Sequence, residues 1–134
     1  MSDNGLGRGG SPKERASAKA RGTSERGALR ILLADDEAIV RSTIGDYLKD
    51  LGHEVEEAVD GISALARLEE QEVDLALLDV RMPGMDGLTL LERIQEAWPD
   101  VAVVIVTAHG NMDMVIRALR SGAVDFLNKP VRLR

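Results

Sequence analysis

Short apolar runs alternate with longer amphipathic segments along the chain from Arg30 onward. The runs are too short to be helices by themselves, and they are typical of buried strands. The weakly alternating run at 53–58 is typical of an edge strand. The predicted strands are Arg30–Ala34, His53–Ala58, Leu75–Leu78, Val101–Val106 and Ala123–Leu127.

Four segments between these runs carry apolar side chains at helical spacing, and they predict helices over 37–51, 62–71, 86–97 and 111–120. A repeated strand–helix order with crossovers of this length predicts a parallel sheet with right-handed connections. The side chains predicted to face the core are Val40, Ile44, Tyr47, Leu48, Leu51, Ile62, Leu65, Ala66, Leu68, Leu88, Leu91, Ile94, Ala97, Met112, Val115, Ile116 and Leu119.

Polar side chains follow four of the predicted strands, at the point where each strand ends. Asp35 and Asp36 follow the first strand, Asp79 the third, Thr107 the fourth and Lys129 the fifth. The carboxyl ends of parallel strands meet at one edge of the sheet, where ligands bind in open α/β folds. We therefore expect these side chains to lie close together.

The residue types at this edge suit phosphoryl transfer. Three converging carboxylates repel one another unless a cation neutralises them, and Mg²⁺ prefers carboxylate oxygens and water. Asp79 can act as a nucleophile that forms an aspartyl phosphate. Lys129 can pair with Asp79 and later with phosphoryl oxygens, and the Thr107 hydroxyl can donate a hydrogen bond to the same group.

Each of these residues also has an ordinary structural interpretation. Asp36 can be the N-cap of the first helix, and Asp79 can cap the turn after its strand. Thr107 can be a simple strand-end residue, and Lys129 a solvated charge. These interpretations are independent of one another, whereas a single site accounts for all of the residues together.

Composition limits the range of functions. The 134 residues fit one domain, and they include no Cys for disulfides or thiolate chemistry. Neither His53 nor His109 is predicted to bind a metal.

Residues 1–27 are predicted to be a disordered basic tail and 28–134 the folded domain. Residues 1–30 hold seven Lys/Arg and three acids, whereas 31–134 hold ten and twenty, so we expect no nucleic acid on the folded part. A membrane span or signal peptide is not predicted either, and we expect a cytoplasmic protein.

The motifs resemble a known family, the receiver domain of two-component response regulators. They are Asp35–Asp36, Asp79 with the segment 82–87 (MPGMDG), Thr107–Ala108, and the segment 122–130 (GAVDFLNKP). The resemblance covers residues 30–131, with the motifs in the family's order and spacing. It implies a doubly wound, flavodoxin-like α/β fold with a five-stranded parallel sheet in the order 2-1-3-4-5.

The resemblance also implies a role for each residue of the metal site. Asp79 would accept phosphate from a phospho-histidine of a sensor histidine kinase or phosphotransfer protein, and would also belong to the Mg²⁺ site. Asp36 would bind Mg²⁺ directly and Asp35 through water. The backbone carbonyl of Arg81 would complete the protein ligands.

Further implied roles concern the switch. Thr107 and Lys129 would detect the phosphoryl group, and Phe126 would turn inward when Thr107 moves. The Lys129–Pro130 bond is similar to one that is cis in the family. The surface of the fourth helix and fifth strand would then change its contacts with partners.

The sequence departs from the family after Pro130. The family continues with a fifth helix, whereas this sequence stops at Arg134, so the final helix is expected to be missing or truncated. One sheet face would then be covered by the first helix alone, and exposed apolar faces tend to recruit partners. We expect poor stability of the isolated chain or self-association through that face.

Other functions stay open at this stage. A docking domain of the same fold could act without phosphorylation. A Mg²⁺-dependent phosphatase of the haloacid-dehalogenase type also uses an aspartyl nucleophile, but it needs a second Asp two residues later, where this sequence has Arg81. The favoured hypothesis is a phosphoacceptor module that is not an enzyme, apart from its own phosphorylation and dephosphorylation.

Overall fold

The computed structural model describes residues 27–132, so all but the last residue of the predicted tail, 1–27, lies outside the described residues. Within this range five strands alternate with four helices. The strands β1–β5 span Arg30–Ala34, Glu54–Ala58, Leu75–Leu78, Ala102–Thr107 and Asp125–Asn128. The helices α1–α4 span Ala38–Asp50, Gly61–Glu70, Gly87–Ala97 and Met112–Arg120.

The strands form one parallel sheet in the order β2-β1-β3-β4-β5. The predicted doubly wound order is therefore confirmed, and β2 lies at an edge as its weak alternation indicated. The register aligns the carboxyl ends of the central strands, because Ala34 pairs with Leu78 and Leu78 pairs with Ile105. Residues that follow these positions emerge at one edge.

One face of the sheet is packed against α2, α3 and α4. Ala64 and Leu68 of α2, Leu91 of α3 and Ala118 of α4 belong to one buried cluster with side chains of β1, β3 and β4. The residues of that cluster from β1, β3 and β4 are fully buried. They are Leu32, Ala34, Ala76, Leu78, Val103 and Ile105.

The opposite face is less completely covered. Among residues 27–132, α1 is the only helix on this face, where it packs against β1 and β2. Leu75, Leu77 and Val104 are only half-buried as a result. An apolar groove of about 390 Å³ lies at the carboxyl end of this face. It is lined by Ile39, Val40, Thr43, Ile44, Ala108, Lys129, Pro130 and Val131.

Several of the predicted helix faces are rotated from the observed ones. In α4, Met112, Ile116 and Leu119 are exposed, whereas Ala118 is fully buried. Helix α4 lies against β5 and α3, and it turns Ala118 and the partly buried Met114 toward the core instead of its most apolar stripe. The same correction applies to other predicted core residues that are exposed. They are Leu51, Ile62, Ala66 and Ala97.

Two further details differ from prediction at the ends of elements. Strand β5 begins at Asp125 instead of Ala123, because the Ala123 N–H still donates to the Ala118 carbonyl at the end of α4 at 3.0 Å, after the turn at Gly122 with its φ of +106°. His53 precedes β2, where its Nδ1 accepts a hydrogen bond from the Leu29 N–H at 3.0 Å. The length and polarity of the described helices leave none able to cross a bilayer.

Candidate functional site

The sheet itself places the first two site residues. The Asp35 N–H donates to the Ala58 carbonyl at 3.1 Å, and the Asp79 N–H donates to the Ala34 carbonyl at 2.9 Å. Both acids therefore continue the hydrogen-bond ladder one residue beyond their strands. Their side chains are fixed at the carboxyl edge by backbone bonds, as the strand pattern predicted.

Three carboxylates converge at this edge. Asp35, Asp36 and Asp79 each offer an oxygen, and these oxygens all lie within 4.8 Å of one another. Asp35 is 2% exposed and Asp79 is 5% exposed, whereas Asp36 is open to solvent. The arrangement concentrates negative charge in a largely buried place, where screening by water is weak.

Lys129 supplies one cation to this cluster. Its Nζ lies 2.7 Å from Asp35 Oδ2, 3.1 Å from Asp79 Oδ2 and 3.4 Å from Glu37 Oε1. Burial alone would lower the pKa of Lys129, but hydrogen bonds to Asp35 and Asp79 outweigh it and raise the pKa above 10.5. The side chain is therefore a fixed positive charge at neutral pH.

One ammonium group does not balance the acids. Burial raises the pKa of Asp35 above its ordinary value of 3.8, even though Lys129 and the Glu37 N–H both favour the ionised form; the neighbouring Asp79 adds to the rise. The ionised cluster is thus energetically costly, and a second cation would relieve it. Closely spaced carboxylate oxygens fit a hard divalent ion such as Mg²⁺.

A cavity of about 210 Å³ opens above the acids. Because one water occupies about 30 Å³ in the liquid, the cavity has room for a phosphoryl group with accompanying water. Arg81 lies on its rim, where the resemblance placed a carbonyl ligand. The lining residues are Asp36, Glu37, Asp79, Arg81, Ala108, His109 and Lys129.

Thr107 lies beside this cavity without lining it. The residue is fully buried, and its Oγ1 accepts a hydrogen bond from the His109 N–H at 3.3 Å. The Lys129 N–H donates to the Thr107 carbonyl at 3.0 Å, so the backbones that carry both residues are joined. This contact uses the Thr107 hydroxyl as an acceptor only, so the hydroxyl proton can still be donated to a second group.

Phe126 is further from the acids. It is half-buried on β5, and its ring packs so closely on Gly110 that a Cβ there would lie 2.6 Å from Phe126 Cε1. The peptide bond between Lys129 and Pro130 is cis, as the resemblance implies. The structure therefore brings Asp35, Asp36, Asp79 and Lys129 together and leaves Phe126 outside the cavity.

The structure answers the two capping roles considered for the acids differently. Asp36 is not the N-cap of α1, because Glu37 holds that position and makes no side-chain cap bond. Asp35 Oδ1 instead accepts from the Glu37 N–H at 2.9 Å. Asp79 Oδ1 does accept from the Arg81 N–H at 3.4 Å, so a turn-capping contact coexists with its place in the cluster.

Sequence reasoning missed two residues that shape the site. Glu37 reaches Lys129, and its place as the third acid in a row was the available signal. Gly87 begins α3 directly against the backbone of Asp79, where a Cβ would overlap the Asp79 carbonyl oxygen. Its position next to the N-cap Asp86 in the 82–87 motif indicated a turn, but not this close approach.

Comparisons with known proteins point to one family. The family profile described as "Response regulator receiver domain" matches residues 31–134. Response regulator protein FleR of Pseudomonas aeruginosa is 37% identical over 107 residues, which are 80% of this chain and 23% of FleR. Chemotaxis protein CheY of Listeria monocytogenes is 38% identical over 103 residues, covering 76% of this chain and 87% of CheY.

Solved structures show the same fold. A CheY-like receiver domain from Methanospirillum hungatei superposes with a TM-score of 0.76 at 31% identity, covering 79% of this chain and 85% of the other. The receiver domain of NtrX from Brucella abortus gives 0.72 at 39% identity, covering 76% and 87%. The chain spans about a quarter of the length of several longer relatives, such as FleR and a cyclic di-GMP phosphodiesterase of Thermotoga maritima.

Proposed function

Because the chain belongs to the family of response regulator receiver domains, we propose that Asp79 accepts a phosphoryl group from a histidine kinase or phosphotransfer protein. The proposal is carried by one observation. Three carboxylates lie within 4.8 Å of one another, and Lys129 pairs with two of them at the mouth of a cavity.

The proposed step is a group transfer in which Asp79 is the nucleophile. One of its carboxylate oxygens forms a bond to phosphorus, the phosphorus–nitrogen bond of the donor phospho-histidine breaks, and the nitrogen leaves with the electron pair of that bond. Nearly complete burial of Asp79 keeps bulk water from competing and strengthens electrostatic contacts with the incoming group. Lys129 Nζ, which lies 3.1 Å from Asp79 Oδ2, would then pair with the negatively charged phosphoryl oxygens.

Asp35, Asp36, Asp79 and the Arg81 carbonyl would hold Mg²⁺ in this proposal. When bound, the ion supplies positive charge that offsets repulsion between the acids and the phosphoryl group. The fit rests on the donor set, because the converging groups are hard oxygen ligands around a buried excess of negative charge.

Phosphorylation would be read through Thr107, Lys129 and Phe126. The phosphoryl group draws the Thr107 hydroxyl away from the His109 N–H, and Phe126 moves into the space that opens. These movements would change the surface formed by α4 and β5, where several apolar side chains are exposed. They are Met112 at 70%, Ile116 at 43%, Leu119 at 49% and Leu127 at 38%.

The test is incorporation of phosphate from acetyl phosphate with Mg²⁺, followed by intact-mass spectrometry. We expect one phosphoryl group per chain in the wild type, none in Asp79→Asn, and none in wild-type protein with excess chelator. Asp46→Asn is the matched control, because Asp46 is an exposed acid on α1, and we expect it to be labelled like the wild type.

Labelling that persists in Asp79→Asn would overturn the assignment of the acceptor. A wild type that stays unlabelled although Mg²⁺ stabilises it would favour a docking domain that acts without phosphorylation. Rapid, repeated turnover of a phosphate monoester would instead favour a phosphatase, whereas we expect the chain to catalyse its own phosphorylation and dephosphorylation only.

A further inference from the structure

The peptide group that joins Asp35 to Asp36 is held by a side chain from the following helix. Arg41 of α1 donates from Nη1 to the Asp35 carbonyl oxygen at 2.7 Å, and from Nε to Oε1 of Glu57 at 3.3 Å. The Arg41 side chain is only 16% exposed. Its guanidinium therefore lies largely buried between the acidic loop and the edge strand β2.

These bonds restrict how the two acids can point. The peptide group is planar, so a fixed Asp35 carbonyl restricts rotation on both sides of the link between Asp35 and Asp36. The Asp35 N–H is already bound to the Ala58 carbonyl. Arg41 thus completes the anchoring of Asp35 and sets the direction in which the Asp36 backbone leaves the strand.

Helix α1 begins without the side-chain cap that the other helices have. Asp60, Asp86 and Asn111 cap α2, α3 and α4 by accepting from a backbone N–H, whereas Glu37 makes no such bond. The loop before α1 is restrained instead from the Asp35 side, where Asp35 Oδ1 accepts from the Glu37 N–H at 2.9 Å. Arg41 adds a second restraint, and it binds a backbone carbonyl, which leaves the Asp36 carboxylate available to a cation.

We propose that Arg41 is a positioning residue for the metal site, with Glu57 as its anchor on β2. The proposal rests on the proposed Mg²⁺-dependent function. Groups that orient metal ligands without touching the metal typically contribute 10- to 100-fold to affinity. Arg41 suits this role because its planar fork of donors can satisfy the carbonyl and the carboxylate together, which a Lys ammonium does less well.

The experiment measures Mg²⁺ binding directly, by the rise in unfolding temperature during a Mg²⁺ titration of the full chain. We expect Arg41→Ala to need at least about tenfold more Mg²⁺ for half-maximal stabilisation. The Mg²⁺ concentration that Arg41→Lys needs should lie between those of Arg41→Ala and the wild type, because a Lys keeps one of the two hydrogen bonds. With saturating Mg²⁺, both variants should still be labelled on Asp79 by acetyl phosphate.

Arg30→Ala is the matched control. Arg30 pairs with Glu54 at 3.1 Å, so it also links β1 to β2, but at the opposite end of the strand from the acids. Its unfolding temperature can change, but we expect the Mg²⁺ concentration for half-maximal stabilisation to equal that of the wild type. Glu57→Ala removes only the anchor, and it should shift the titration in the same direction as Arg41→Ala by a smaller factor.

The outcomes separate this proposal from the function beneath it. If the wild type binds Mg²⁺ and is labelled, but Arg41→Ala titrates like the wild type, the positioning role is wrong. Should Arg41→Ala fail to fold, unchanged titrations of Arg41→Lys and Glu57→Ala would overturn it equally. A wild type that neither binds Mg²⁺ nor is labelled would overturn the proposed function, and the role of Arg41 with it.

Discussion

At the scale of a single residue, Asp35 is subject to two opposing requirements. Burial raises its pKa above 3.8, yet a metal site needs the carboxylate ionised. Lys129 and the Glu37 N–H recover only part of the burial cost. Stability is therefore lowered locally at a position that suits cation binding, a pattern that is common at functional sites.

This opposition predicts a pH-dependent gain in stability for Asp35→Asn in metal-free protein. The native pKa is raised, so the native state binds a proton more tightly than the unfolded chain. The contribution of Asp35 to the free energy of unfolding is then greatest below pH 3.8 and falls as pH rises through the native pKa. Asn cannot ionise, and its amide oxygen can still accept from the Glu37 N–H.

Urea unfolding in chelator, at several pH values from acid to neutral, checks this prediction. The stability advantage of Asp35→Asn over wild type should grow with pH, and added Mg²⁺ should stabilise the wild type more than the variant. Asp46→Asn, which changes an exposed acid, serves as the control. A variant less stable than wild type at neutral pH would contradict the argument.

Gly87 predicts a second effect at the scale of one residue. A Cβ at this position would overlap the Asp79 carbonyl oxygen, so Gly87→Ala must push α3 away from the end of β3 or displace Asp79. We expect slower labelling by acetyl phosphate and a lower unfolding temperature. Gly84→Ala is the informative comparison, since nothing lies within 4 Å of a Cβ there, although its φ of +79° adds backbone strain. Labelling of Gly87→Ala at the wild-type rate would contradict the prediction.

At the scale of elements, hydrophobic spacing predicted all nine strands and helices of residues 27–132 but not every buried face. The carboxyl ends of the strands were predictable to within one residue, because an apolar run that gives way to Asp79 or Thr107 leaves little choice of boundary. The α4 face was wrong, because its most apolar stripe, Met112 with Ile116 and Leu119, lies on the surface. Sequence spacing reports amphipathicity, and it cannot tell a core face from an apolar surface.

The difference between the two kinds of face can be measured. Leu90 of α3 was not predicted to be inward, yet it is fully buried, so Leu90→Ala should cost about 2–5 kcal/mol of unfolding free energy. Ile116 is 43% exposed, and Ile116→Gln should change that free energy by no more than about 0.5 kcal/mol. Chemical denaturation of the two variants checks both values. A larger cost for Ile116→Gln than for Leu90→Ala would show that α4 packs by its apolar stripe.

The candidate site was predictable to a similar extent. Asp35, Asp36, Asp79 and Lys129 could be placed together because parallel topology brings strand ends to one edge. The supports could not be placed in this way. Arg41 reaches the Asp35 carbonyl across a loop and a helical turn, and Gly87 matters through a backbone contact. Neither contact depends on spacing within one element, so the sequence pattern does not predict either contact.

At the scale of the whole molecule, the two sheet faces differ in how well they are covered. One face carries α2, α3 and α4, whereas α1 leaves Leu75, Leu77 and Val104 half-buried on the other. The apolar groove of about 390 Å³ beside α1 adds to this surface. Burying such a surface against another chain would contribute roughly 25 cal/mol per Å² of apolar area.

We therefore expect the 134-residue chain to self-associate with rising concentration in sedimentation experiments. Ile39 lines the groove and is 75% exposed, so Ile39→Asp should shift the population toward monomer. Leu51→Asp is the matched control, because Leu51 follows the opposite end of α1, is 57% exposed and does not line the groove. A wild type that stays monomeric and melts sharply would contradict the expectation.

The ion pair between Lys129 and Asp35 joins residues 94 positions apart. The ribosome therefore makes all three acids well before it makes the lysine that compensates them. Any sheet that formed before β5 had emerged and docked beside β4 would hold Asp35 and Asp79 without that cation, and we expect such partly synthesised chains to be the most sensitive to divalent ions. Domains tend to fold as units during synthesis, and here the last strand to appear is also the one that completes the charge balance of the edge.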